Sequence, residues 1–206
     1  MTREPPFALR TIGPEPDGAT PLEEDLKGLI PDFVATRADL NQVEYENIAK
    51  ALPWAQRQAR LRGTAGLLDY PFLFALHRAM FGDVWRWAGT QRRRATNIGV
   101  DPAQIPDQTR RTLDDAMYWH DNRVFYVDER AARLHYRLVT VHPFPNGNGR
   151  ATRLIADLYL ASVGAAPFTW GASRLDMASE VRTAYIDSLT AAQIDDCASL
   201  VTFARS

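Results

Sequence analysis

His142-Pro143-Phe144-Pro145-Asn146-Gly147-Asn148-Gly149-Arg150, followed by Arg153, is the string that organises this chain. Two prolines stiffen its first half, while Gly147 and Gly149 permit positive φ and a close backbone approach to a ligand. Helical spacing flanks it on both sides, with Ala131, His135, Leu138 and Val141 before it and Ala151, Leu154, Ile155 and Leu158 after it. The string therefore links the C-terminus of one helix to the N-terminus of the next. Such an N-terminus offers unpaired N–H groups and a positive dipole end, and Arg150 and Arg153 project from its first turn. This pattern predicts a polyphosphate cradle. His142 is the natural proton acceptor beside it, because an ordinary imidazole titrates at about 6.5. Phe144, an aromatic between two loop prolines, is read as the anchor of the loop in the core. Taken singly the pieces are ordinary: a Gly-Asn-Gly turn can merely connect helices, and Arg153 can pair with Asp157 one turn on. The string lacks the Gly-x-x-x-x-Gly-Lys pattern and a preceding strand, which disfavours a Walker-type ATPase.

Outward from the loop the chain reads as mainly α. Pro5, Pro6, Pro14, Pro16, Pro21 and Pro31 make residues 1–35 a Pro/Gly-rich arm that cannot hold a long helix, with Leu22, Leu26, Leu29 and Ile30 as a short element able to lie on the body. Thr36-Arg37-Ala38-Asp39 resembles a capping box, so a helical region is expected over 36–65, kinked or split at Pro53 and closed near Gly63 and Gly66. A helix from Tyr70 follows, with Pro71 in its first turn and Phe72, Leu73, Leu76 and Met80 on one side. Residues 83–106 break the helical period, and residues 90–100 are expected to form a short exposed β-hairpin. Further helices fit residues around Leu113, after Asp128, 150–162, 173–189 and 196–204.

With 206 residues, 46% hydrophobic and 10% aromatic, the chain can bury a sizeable core. Its 24 Lys+Arg against 25 Asp+Glu exclude a protein dominated by non-specific attraction to nucleic acid. No apolar run reaches the roughly 20 residues of a membrane span, and no signal-peptide stretch follows Met1, so a cytoplasmic protein is expected. Cys197 stands alone and is read as a small buried hydrophobe. His77, His120 and His135 are read as packing histidines, and no zinc site is expected.

Residues 142–153 resemble the His-Pro-Phe-x-(Asp/Glu)-Gly-Asn-Gly-Arg-x-x-Arg signature of Fic (Fido) domains, differing at one specified position. Phe81-Gly82-Asp83-Val84-Trp85-Arg86-Trp87-Ala88-Gly89-Thr90 is similar to the segment that leads into the family's target-docking flap, and the similarity is taken to cover about 66–203. The Pro-Asn version of the loop is similar to the subgroup called mobile mystery protein B, which implies a helix-turn-helix partner protein. The resemblance implies a Fic-type helical bundle with a short β-hairpin flap, and transfer of AMP from ATP to a Ser, Thr or Tyr hydroxyl of a target protein. In that mechanism His142 deprotonates the hydroxyl and Gly147, Asn148 and Gly149 hold phosphate oxygens, Asn148 by its side chain. Arg150 and Arg153 neutralise the outer phosphates. The departure is Asn146, where the family has an acid that helps hold Mg2+; a neutral amide offers an oxygen without the charge, leaving the ion to the triphosphate. Transfer of UMP or a phosphoryl group, a nucleotide-binding module without transfer, and nucleic-acid binding through the arginine clusters are the alternatives.

Two further assignments follow from the resemblance. Gln42-Val43-Glu44-Tyr45-Glu46-Asn47 looks like a degraded copy of the family's inhibitory helix, with Glu46 as the residue to meet Arg153 or, failing that, a solvated helix residue. Arg92, Arg93, Arg94, Thr96 and Ile98 fall in the presumed flap as candidates for docking a target.

Overall fold

The computed structural model describes residues 28–171, 178–192 and 197–206. Most of the 1–35 arm, including Leu22 and Leu26, and parts of the expected 173–189 and 196–204 helices lie outside these residues. Among the described residues the chain forms seven α-helices: α1 (Arg37–Leu67), α2 (Tyr70–Phe81), α3 (Ile105–Asp121), α4 (Val127–Val141), α5 (Asn148–Ser162), α6 (Ala178–Ala192) and α7 (Ala198–Arg205). None is long and apolar enough to cross a membrane.

The start of α1 is the expected capping box. Thr36 Oγ1 accepts from the Asp39 amide at 3.1 Å and Asp39 Oδ2 accepts from the Thr36 amide at 2.8 Å, which satisfies two otherwise orphaned donors. Pro53 lies inside the helix on its exposed side, and the helical path breaks instead at Gly63 (φ 62°, ψ −174°), a backbone state suited to glycine. Leu40, Ile48, Ala51, Leu52 and Ala55 carry the buried face of α1. α2 begins on Asp69 with Pro71 in its first turn and buries Phe72, Leu73, Leu76, His77, Met80 and Phe81.

α5 is the central rod. It packs against α4 and α1 with α2 beside it, and residues 154–160 are buried without interruption. Fully burying each Leu or Ile there contributes about 1.5–3 kcal/mol. A helix buried all round must satisfy any polar side chain it carries. Asp157 accepts from Trp170 Nε1 at 2.9 Å and from the Phe168 amide at 3.0 Å, and burial raises its pKa to about 7. His135 likewise meets the Tyr185 hydroxyl at 3.0 Å, and Cys197 is buried.

The expected β-hairpin over 90–100 is not formed. Residues 90–100 hold no strand; the one isolated bridge among the described residues joins Leu29 to Trp85. The reason is visible in its bonding, because donors in this segment reach across to the end of α4 and the two residues after it rather than to a sister strand.

Candidate active site

α4 stops at His142, which takes a left-handed conformation (φ 55°, ψ 60°) while its amide still donates to Leu138 O at 3.1 Å. Pro143 bars continuation of the helix. A left-handed non-glycine residue costs about 1–3 kcal/mol and persists only where its surroundings impose it. The turn swings the imidazole back on its own helix, with Nδ1 3.2 Å from Val139 O. A carbonyl can only accept, so Nδ1 carries the proton and Nε2 is the basic nitrogen. Burial, together with the Arg92 charge, lowers the His142 pKa to about 4 despite the Val139 bond, so the ring is neutral at pH 7.

The loop body is held by three contacts. Phe144 is fully buried, stacked on His77 at 3.8 Å with its edge to Phe74 at 5.0 Å. Asn148 turns its amide back onto Phe144: Oδ1 accepts from the Phe144 amide at 2.9 Å and Nδ2 donates to Phe144 O at 2.8 Å. These two bonds form a clip that closes the loop. His77 accepts from the Gly89 amide at Nδ1 (2.9 Å) and donates from Nε2 to Asn146 O at 3.0 Å. Burial lowers its pKa to about 3, in keeping with an Nδ1 that serves only as acceptor. Gly147 (φ 75°) passes under this group so closely that a Cβ would lie 2.7 Å from the Phe81 ring.

α5 then starts on Gly147 with no side-chain cap. Its first turn is open on one side, where a Cβ at Gly149 would meet only the Tyr185 hydroxyl at 3.8 Å. This end combines free amide donors with room for an anion. The two arginines expected to grip that anion side by side instead diverge. Arg150 points to α1, where Nη1 donates to Glu44 Oε2 at 2.7 Å, with the two side chains 8% and 4% exposed. Its guanidinium lies 4.8 Å from the Phe81 ring centroid, and Trp85 Nε1 donates to the other Glu44 oxygen at 2.6 Å. Arg153 lies over the Tyr185 ring at 5.5 Å. The acidic contact from α1 is therefore made by Glu44 to Arg150. Glu46 is exposed and accepts from Gln42 Nε2 at 2.8 Å.

The five residues assigned to target docking separate as well. Arg93, Arg94 and Ile98 are exposed, and the half-buried Thr96 donates its hydroxyl to Ile98 O. Arg92 is buried and bonded to the end of α4. Among the described residues no group of three His, Cys, Asp or Glu side chains could hold a metal ion. Asn146 Oδ1 accepts from the Gly147 amide at 2.6 Å. Among the described residues, Asn146 fits a divalent cation as one neutral oxygen donor to an ion carried by a polyphosphate.

Known proteins resemble this chain in sequence and in fold. Residues 67–160 match the model of the Fic/DOC family. The protein adenylyltransferase fic-1 of Caenorhabditis elegans is 31% identical over 135 residues, which is 64% of this chain and 25% of that protein. The protein adenylyltransferase Fic of Nematostella vectensis is 29% identical over 100 residues, 46% of this chain and 23% of the relative. The chain thus spans about a quarter of the length of these curated relatives. Among solved structures, residues 134–508 of C. elegans Fic-1 superpose with a TM-score of 0.60 at 24% identity, covering 89% of this chain and 52% of that one. BepC of Bartonella tribocorum, solved with bound AMPPNP, gives a TM-score of 0.65 at 16% identity over 84% of this chain and 87% of that one.

Proposed function

We propose that this chain, whose residues 67–160 match the Fic/DOC family model, is a protein adenylyltransferase, moving AMP from ATP to a Ser, Thr or Tyr hydroxyl of another protein. The observation that carries the reading is the pairing of a neutral His142, its Nδ1 tied to Val139 O, with the uncapped N-terminus of α5 across the loop 143–147. The incoming hydroxyl gives its proton to His142 Nε2 as its oxygen bonds to the α-phosphorus. The bond from that phosphorus to the bridging oxygen breaks, and pyrophosphate leaves with the electron pair. Developing charge on the phosphate oxygens is met by amides of the first turn of α5, whose donors need no reorganisation. Arg153 supplies positive charge for the outer phosphates, since the charge of Arg150 is matched by Glu44. Asn146, by its amide oxygen, would help hold a Mg2+ carried by the triphosphate, which would offset charge on the phosphates. The exposed Arg93, Arg94 and Ile98 lie in the segment fastened to the end of α4 through Arg92 and serve target docking. The reading also includes action in the cytoplasm and, from the subgroup resemblance alone, a helix-turn-helix partner.

A second reading, nucleotide binding without transfer, is favoured by the neutral Asn146 and by the engagement of Arg150 with Glu44. Labelled ATP, UTP and GTP, offered to the purified protein in a cell extract, separate the two and identify the donor. Label from ATP should enter protein with native chain and fall by about 10²–10⁴-fold with His142→Ala, while nucleotide binding persists. Equal labelling by both proteins removes His142 from the chemistry.

A further inference from the structure

We infer that Arg92 is the positioning residue for His142, its guanidinium gathering the carbonyl oxygens at the end of α4 and so holding the base in its left-handed conformation. The inference rests on His142 being the base of the transfer proposed above. Arg92 Nε donates to His142 O at 2.6 Å, and Nη2 donates to Val141 O at 3.4 Å and to Val100 O. Nη1 donates to Arg94 O at 2.7 Å, and the Arg92 amide donates to Pro143 O at 3.0 Å. One residue thus bonds to three successive carbonyls, those of Val141, His142 and Pro143.

Those of Val141 and His142 are carbonyls that the end of α4 leaves without intrahelical partners, and their dipoles favour a cation. Only arginine offers five donors in a fixed fork able to reach several of them at once. The packing leaves little freedom. Gly99 (φ 113°) closes over the group so tightly that a Cβ there would lie 2.6 Å from Arg92 Nη2 and 2.7 Å from His142 Cβ. The segment 92–100 is therefore fastened to the backbone of the base. Every hydrogen-bonding partner of this guanidinium named above is neutral, and its charge also favours the unprotonated imidazole; burial disfavours the charged form of Arg92, and the Asp101 carboxylate favours it.

A misplacement of about 1 Å can cost 10²-fold in rate. Arg92→Gln should accordingly lower kcat by about 10²-fold with the KM for ATP little changed. Its His142 Cε1–H resonance should titrate above the native value of about 4 by the smaller part of the depression, since burial supplies the larger part. Arg92→Lys keeps the charge and loses the fork, so it should lower kcat while His142 still titrates low. Native kcat and native titration in Arg92→Gln would overturn the inference. In native protein the Arg92 Nε–H should exchange slowly with solvent, and fast exchange overturns the inference even where the variants do not fold. Failure of the transfer reading is told apart by the unsubstituted protein, which then labels no target while the titration and exchange measurements still report on Arg92.

Discussion

Two buried guanidinium groups flank the loop, and they do opposite things with their charge. Arg92, at the end of α4, bonds only to neutral carbonyls and leaves its field directed at His142. Arg150, at the start of α5, is bonded to the Glu44 carboxylate, so its field is largely offset within the core, though it still disfavours a proton on His77. The same side chain is thus a source of electrostatic bias on one side of the loop and a structural rivet on the other. The difference lies in what the neighbouring helix presents. α4 ends in carbonyls; α1 presents a carboxylate from within its buried face.

The most disruptive way to break this comparison is Glu44→Ala. It strands a buried guanidinium and removes the acceptor of Trp85 Nε1. Breaking one side of a buried pair costs about 3–5 kcal/mol, which in a chain of this size corresponds to a fall in melting temperature of roughly 10 °C. An unchanged melt would show that Arg150 draws no structural benefit from α1. The matching change at Glu46, exposed and bonded only to its own helix, should lie within about 0.5 kcal/mol of native.

Acid tests the other side. Burial holds His77 and His135 at about 3 and His142 at about 4, whereas in an unfolded chain each takes up its proton near 6.5. Between these limits the unfolded state binds more protons, so the stabilisation is complete above about 6.5 and is lost as pH falls toward 4. Asp157, raised to about 7 by burial, works in the reverse sense, since the folded state keeps its proton from about 7 down to the ordinary carboxyl range. Three groups against one leave a net loss of up to roughly 3 kcal/mol per pH unit between 6 and 4. Denaturant unfolding at pH 7, 6 and 5 measures the slope, and equal stability at all three would mean the imidazoles are not buried neutral.

How far the sequence carries follows the range of the forces. Local signals were readable: the capping box at Thr36, Pro71 in a first turn, and the stop at Pro143 each depend on neighbours within four residues. The loop and its flanking helices were readable for the same reason. Glu44 left a signal that could have been used, because it lies one turn from both Leu40 and Ile48 and so shares their buried face, while Glu46 does not. Arg92 left none. In Arg92-Arg93-Arg94 nothing local distinguishes the first arginine, and its partner His142 is 50 residues away. The hairpin expectation failed on the same long-range bonds, which divert donors of the segment to α4.

The mildest change addresses the one position where the loop departs from the signature it otherwise follows. In Asn146→Asp the main-chain carbonyl of residue 146 stays held by His77, and an aspartate oxygen can accept from the Gly147 amide as the asparagine oxygen does. The loop should therefore keep its shape, and the substitution adds only a negative charge beside the cradle. That charge opposes the phosphates when ATP binds alone and favours it when a divalent cation comes too. Calorimetric titration should show ATP alone binding more weakly and Mg-ATP gaining on it by about tenfold, or about 1.4 kcal/mol. If both nucleotide forms respond equally, residue 146 does not face the cation. The field on that side of the loop would then be set by Arg153 and the amides of α5 alone.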